Sequence, residues 1–137
     1  MEHVAIMKKE FLEMIILGRK KIESRWSKRR IPPFHTVSEG DSIYFKLSSG
    51  LVCARAIAGE VLYYDNLTHE KILEIIKEYG PQIGIDASYA KNLAGKNYCT
   101  LIFLKNFERI TPFQISKEGY SCSSGWLNAE SVGSMRI

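Results

Sequence analysis

The sequence predicts an α+β fold, a small antiparallel or mixed β-barrel of five or six strands flanked by two or three helices. Three observations carry this expectation. Ser42 to Leu47 alternates cleanly, with Ile43, Phe45 and Leu47 on one face and Tyr44 and Lys46 on the other. Tyr98 to Leu104 is apolar on both faces, as suits a central strand buried on two sides. Two stretches place apolar residues at helical spacing, yet strands and helices do not alternate regularly as in a doubly wound sheet.

The elements follow in order. His3 to Met7 is a short apolar run and reads as a first strand. From Lys8 the pattern turns helical, with Phe11, Leu12, Ile15 and Ile16 on one stripe, and Gly18 stands where a left-handed cap belongs. A second strand is expected from Lys21 to about Trp26. Ile31-Pro32-Pro33-Phe34 then forbids regular pairing, and a loop runs to Glu39-Gly40-Asp41. Ser48-Ser49-Gly50 turns the chain into an extended stretch from Leu51 to Tyr64, in which Gly59 marks a bulge or bend.

Thr68 is a good cap for a second helix carrying Ile72, Ile75, Ile76 and Tyr79, which Gly80-Pro81 is expected to end. A short irregular or helical piece covers Ile85 to Leu93, before the Tyr98 strand. From Ser116 onward Gly, Ser and Asn dominate, with Trp126-Leu127 as the strong apolar anchor, so residues 117–137 read as a C-terminal extension with a fraying end.

With 137 residues and 45% hydrophobic content, the chain has enough for one good core and predicts a single domain over 1–137. Cys53, Cys99 and Cys122 are an odd set with no C-x-x-C pair, which implies neither a disulfide framework nor a zinc knuckle. Three reduced thiols and no long apolar run predict a cytoplasmic protein that does not cross a membrane. His3, His35 and His69 lie far apart without ligand spacing and read as surface or loop histidines, so no metal is expected. Phosphate loops of the Walker or dinucleotide type are absent, and no cofactor is implied. Cys99 reads as core, Cys122 as an exposed thiol without a base, and Ser121, Ser123 and Ser124 form no nucleophile elbow. Tyr63 and Tyr64, at a strand end, read as packing residues.

Charge is distributed unevenly. The run RKKIESRWSKRR from Arg19 to Arg30 holds seven of the 19 Lys and Arg and one acid, Glu23. Without it the net charge of +4 becomes −2, so the positive balance comes from one local surface. A basic stripe around an aromatic, here Trp26, suits a polyanion whose phosphates meet Lys and Arg while a base stacks on the ring. Within the run, Gly18, Lys20, Glu23 and Arg25 spell G-x-K-x-x-E-x-R at a helix-to-strand junction. On an extended strand Lys21, Glu23 and Arg25 share one face, with neighbours about 6.5–7 Å apart, and Ile22 and Trp26 point to the other. An acid held between bases lets a pocket accept both an anionic group and a hydrogen-bond donor such as an exocyclic amine. For Trp26, strand parity favours core packing and its basic neighbours favour base stacking; both remain open.

The segment LGRKKIESRWSKRR, followed by EGDSIYFK and later by YCTLIFL, resembles the ASCH (activating-signal-cointegrator homology) domain of the PUA-like superfamily of small β-barrels. The resemblance is clearest over residues 3–116. It implies a cleft lined by the motif that binds RNA or a nucleotide-like ligand. The expected binding residues are Gly18, Lys20, Lys21, Glu23, Arg25 and Trp26, with Lys28, Arg29 and Arg30 gripping phosphates from the adjacent loop. One bacterial branch hydrolyses the acetyl amide of acetylated cytidine with a motif Lys and a Thr three residues later. Lys20 matches that Lys, but Glu23 occupies the Thr position, so that activity is not expected to carry over. The first expectation is a non-catalytic RNA- or nucleotide-binding module. The alternatives are a hydrolase of a modified nucleoside or RNA using Lys20, Glu23 and Arg25, and a coactivator-type protein-interaction domain.

Overall fold

The structure is a computed structural model that describes residues 1–120 and 124–137. Ser121, Cys122 and Ser123, whose chemistry was read above, lie outside the described residues. The elements run β1 (Glu2–Met7), α1 (Lys9–Ile16), β2 (Ile22–Ser27), β3 (Ser42–Leu47), β4 (Val52–Tyr64), α2 (His69–Ile83), a 3₁₀ helix (Ala87–Leu93), β5 (Tyr98–Phe113), β6 (Trp126–Ala129) and a terminal 3₁₀ helix (Val132–Met135). All six strands form one mixed sheet in the order β2-β5-β4-β3-β1-β6, with β1 parallel to β3 and the other pairs antiparallel. The sheet curls into a half-barrel. Register shifts along β4, including one between Ala58 and Val61 beside Gly59, supply the local bends that such curling needs.

The alternation in β3 is explained by two cores on opposite faces of the sheet. Ile43 and Phe45 join Ala5, Leu12, Ile15, Ala56 and Ile102 in the cluster that α1 covers. Tyr44 packs instead on the cluster of Val4, Val52, Ile115, Leu127 and Val132. Ile22, Ile75, Ile83, Cys99 and Leu101 form a third cluster where α2 lies against β2 and β5. Strand β5 is thus covered on both faces at its start, as its composition predicts, and Cys99 is fully buried there. Its pairing with β4 carries it on to Phe113, well beyond Leu104.

Three expectations are corrected. Helix α2 does not stop at Gly80-Pro81 but continues to Ile83, with Gly84 as its left-handed cap at φ 90°. The Gly80 carbonyl accepts from the backbone N–H of Gly84 (2.8 Å) and Ile85 (3.0 Å). These bonds close the last turn despite the N–H that Pro81 lacks. A Cβ on residue 80 would stand 2.7 Å from the Ile85 carbonyl oxygen, so this turn requires glycine.

The C-terminal segment does not fray away as an extension. Strand β6 pairs with β1 from Glu2↔Ala129 to Ala5↔Trp126, and Ile115 bridges to Arg136. Buried Trp126, Leu127 and Val132 are the few apolar residues that anchor this polar stretch.

His3 is not a surface histidine. It is fully buried on β1, with Nε2 2.8 Å from Asp41 Oδ2 and Nδ1 2.9 Å from Asn128 Oδ1, and it accepts from Trp126 Nε1 at 3.1 Å. A buried imidazole needs such partners, and they come from a turn and a strand far away in sequence. His35 and His69 are exposed, and no metal-holding cluster occurs among the described residues.

Candidate functional site

Helix α1 ends at a glycine in the left-handed region, Gly18 at φ 74°, and the chain turns directly into β2. The turn carries Lys20 inward. It is 3% exposed, and its Nζ donates to the carbonyls of Ile22 (2.9 Å) and Ile83 (2.8 Å). Glu23 Oε1 lies 3.7 Å from Lys20 Nζ and also 3.7 Å from Arg25 Nε. Burial pushes the Lys20 ammonium below its ordinary range, and the neighbouring Glu23 carboxylate opposes that shift. The motif thus forms a cation–anion–cation row with the acid in the middle, Lys20 and Glu23 buried and Arg25 partly exposed.

Arg25 reaches across the open side of the half-barrel. Its guanidinium donates to the Gly125 carbonyl (3.0 Å) and the Ile6 carbonyl (3.1 Å) and stands 5.3 Å from the Trp126 ring centroid. Beside this row lies a cleft of about 280 Å³, lined by Lys20, Glu23, Ser24, Arg25 and Trp26, by Ile6 to Lys8 and Phe11, and by Ile85, Tyr89, Asn92, Leu93 and Lys96. Glu23, one of the lining residues, has a buried Oε2 with no hydrogen-bond partner. An unpaired buried carboxylate oxygen is costly unless a ligand supplies a donor.

The structure brings together Lys20, Glu23, Arg25 and Trp26. Lys21 is exposed, precedes β2 and does not line the cleft, because the Gly18 turn gives the inward place to Lys20. Gly18 shapes the turn without lining the cleft. Lys28, Arg29 and Arg30 are exposed beyond the end of β2 and line no part of it; Arg30 lies 5.1 Å from the Phe34 ring centroid. Parity holds within β2: Ile22 and Trp26 pack on the α2 cluster, and Glu23 is buried beside Arg25. Trp26 packs on the α2 clusters and also lines the cleft, with Nε1 donating to Ser24 Oγ at 3.0 Å.

Phe11, Tyr89, Asn92, Lys8 and Lys96 are lining residues that the sequence reading did not place in the site. Phe11 sits on the predicted apolar stripe of α1, which pointed to core. Tyr89 and Asn92 come from the 3₁₀ segment, which had no signal of its own. Tyr63 turns away from the cleft, donating to the Val37 carbonyl at 2.6 Å among Phe34 and His35.

No helix is long and apolar enough to cross a membrane among the described residues. Neither models of protein families nor curated proteins match the sequence. Solved structures do. The ASCH protein of Zymomonas mobilis superimposes at TM-score 0.72 with 18% identity, covering 99% of this chain and 96% of that one. A single-residue variant of it reaches TM-score 0.73 at 18% identity, over 97% of this chain and 91% of that one. A hypothetical protein aligns at TM-score 0.51 and 20% identity, over 80% of this chain and 100% of its own. The chain therefore has the fold of an ASCH domain.

Proposed function

We propose that the protein is a non-catalytic RNA- or nucleotide-binding module whose ligand enters the cleft beside Lys20, Glu23 and Arg25. The observation that carries this reading is the unpartnered, buried Oε2 of Glu23 in the cleft wall. It is an acceptor with a vacant bond, and the exocyclic amine or ring N–H of a base is a donor of the right kind. Trp26, Phe11 and Tyr89 give flat walls on which a ring can stack, and Lys8 and Lys96 bring positive charge to the rim. The exposed loop from Lys28 to Arg30 adds long-range attraction for a polyanion without touching the base.

Binding is favoured over hydrolysis by the position of Lys20. Its ammonium is held by two backbone carbonyls and by Glu23, which fixes the acid in place and leaves the amine poorly placed to attack a substrate. The test is a titration of a short single-stranded RNA at several salt concentrations, with wild type and Glu23→Gln. Affinity should fall steeply with salt, by roughly 0.7 log units per log unit of salt for each phosphate neutralised. Glu23→Gln should weaken binding further at every salt concentration. A flat salt response, or no saturable binding at low salt, removes the nucleic-acid reading.

A further inference from the structure

A second hollow, about 190 Å³, lies next to the Glu23 cleft, and Arg25 and Trp26 line both. Its other main walls are Ile31, Pro32, Pro33 and Phe34, in the loop after the basic run, and Trp126 at the start of β6. The two prolines that end strand pairing after β2 thus form one side of it.

The walls are apolar and poor in groups that read a ligand's edge. Proline has no N–H, the Ser27 hydroxyl already donates to the Arg29 carbonyl at 2.7 Å, and Thr100 is buried. Positive charge flanks this apolar space. Arg25 stands between the two hollows, and the Arg30 guanidinium lies 5.1 Å from the Phe34 ring centroid. No Asp or Glu among the described residues lines it. Two of the five Arg25 N–H bonds go to the carbonyls of Gly125 and Ile6, and its Nε faces Glu23, so N–H groups remain for an anion. A flat apolar group carried on a phosphate backbone matches this combination.

We propose that this hollow is a second base subsite, so that the ligand is a single-stranded RNA segment of at least two nucleotides. One base sits beside Glu23, its neighbour sits among Trp26, Ile31, Pro32 and Phe34, and the phosphate between them passes Arg25. The inference rests on the proposed function and deepens it: a lone nucleotide fills only one of the two hollows. The two subsites differ in kind. The buried carboxylate of Glu23 selects a base by its donors, whereas the second hollow accepts a ring by contact with its faces and tolerates any base.

The four ribonucleoside monophosphates are titrated by calorimetry at fixed ionic strength. Dinucleoside monophosphates follow, in which each of the four is extended on either side by adenosine, by uridine or by an abasic ribose. Such a dinucleotide carries no more charge than the mononucleotide, so any gain comes from the added nucleoside. Extension by adenosine and by uridine on one side should each tighten binding about fivefold or more, and the abasic ribose should not. Ile31→Ser, at a half-exposed wall residue, should lose most of the gain, and thermal melting confirms that it is folded. Lys77→Gln, on the exposed face of α2 and lining neither hollow, should behave as wild type. Equal gain from the abasic ribose, or full gain in folded Ile31→Ser, overturns the subsite. Mononucleotide binding without any gain on extension overturns it and leaves the proposed function standing. Failure of mononucleotides and dinucleotides alike overturns both.

Discussion

Arg25 on β2 donates to the carbonyl of Gly125, one hundred residues later, at 3.0 Å. Strands β2 and β6 are the two edges of the sheet, and no backbone ladder joins them. A side chain therefore spans the gap, and it does so beside the cleft that Glu23 lines. The same guanidinium holds the acid and ties down the segment leading into Trp126, so site geometry and barrel closure depend on one residue.

This gives a contrast between two arginines of equal charge. Arg25→Ala removes two bonds to backbone carbonyls and a contact with Trp126, and should cost about 1–3 kcal/mol of stability together with most ligand affinity. Arg29→Ala, on an exposed loop, should stay within about 0.5 kcal/mol of wild type. Urea unfolding and RNA titration on both variants check it. Equal effects would show that net charge alone matters.

Catalysis is tested separately. The purified protein should release no acetate from acetylated cytidine at an enzymatic rate, because Glu23 stands where the hydrolytic branch places a hydroxyl. Ser24 does line the cleft, but its Oγ accepts from the Trp26 indole. Chromatography of the incubated nucleoside is the measurement. Turnover that vanishes in Lys20→Ala would make the chain an enzyme.

The helix cap is coupled to the site through Ile83, whose carbonyl accepts from Lys20. Gly84→Ala places a side chain at φ 90°, where its Cβ would also collide with the Met14 Cε methyl. The backbone penalty alone is about 1–2 kcal/mol. A lowered urea midpoint and weaker RNA binding are expected together. A loss of stability with unchanged affinity would show that the Ile83 carbonyl does not position Lys20.

A pH dependence follows from Tyr64. Burial, reinforced by Tyr79, pushes its phenol up to about 12 from an unfolded value of 10.0. Above pH 10 the unfolded chain gives up this proton first, so the stabilisation present below pH 10 is lost as pH rises toward 12. Wild type should therefore lose stability more steeply over that window than Tyr64→Phe. Parallel urea midpoints for the two proteins between pH 9 and 11.5 would exclude a folded-state shift at this tyrosine.

What the sequence revealed was local. The α1 stripe, the Gly18 cap, the β3 alternation and the doubly apolar start of β5 are all patterns within a dozen residues, and each takes its expected form. The inward place of Lys20 and the outward place of Lys21 depend on how sharply the chain turns after Gly18, which spacing alone does not show. Pro81 misled because a proline usually stops a helix, whereas here two bonds to the Gly80 carbonyl close the turn. Lys8, Tyr89, Asn92 and Lys96 reach the cleft from separate elements, and His3 meets its partners across β3 and β6. No local pattern could announce those meetings. The polar composition after Ser116 hid an edge strand because three buried residues, Trp126, Leu127 and Val132, suffice to anchor it.

The open flank of β2 has a consequence for the protein in concentrated solution. One side of this strand carries no ladder, and such an edge is a template on which a second copy can add its own strand. Immediately after it come Lys28, Arg29 and Arg30, all exposed. Two copies approaching edge to edge in antiparallel fashion would bring a basic cluster to each end of the new pairing, against the Arg19 and Lys21 of the other copy. Like charges at both ends discourage the pairing whatever else the loop does. Salt shortens that repulsion to about 3 Å at 1 M. The concentration at which the protein begins to self-associate is therefore expected to fall as salt rises.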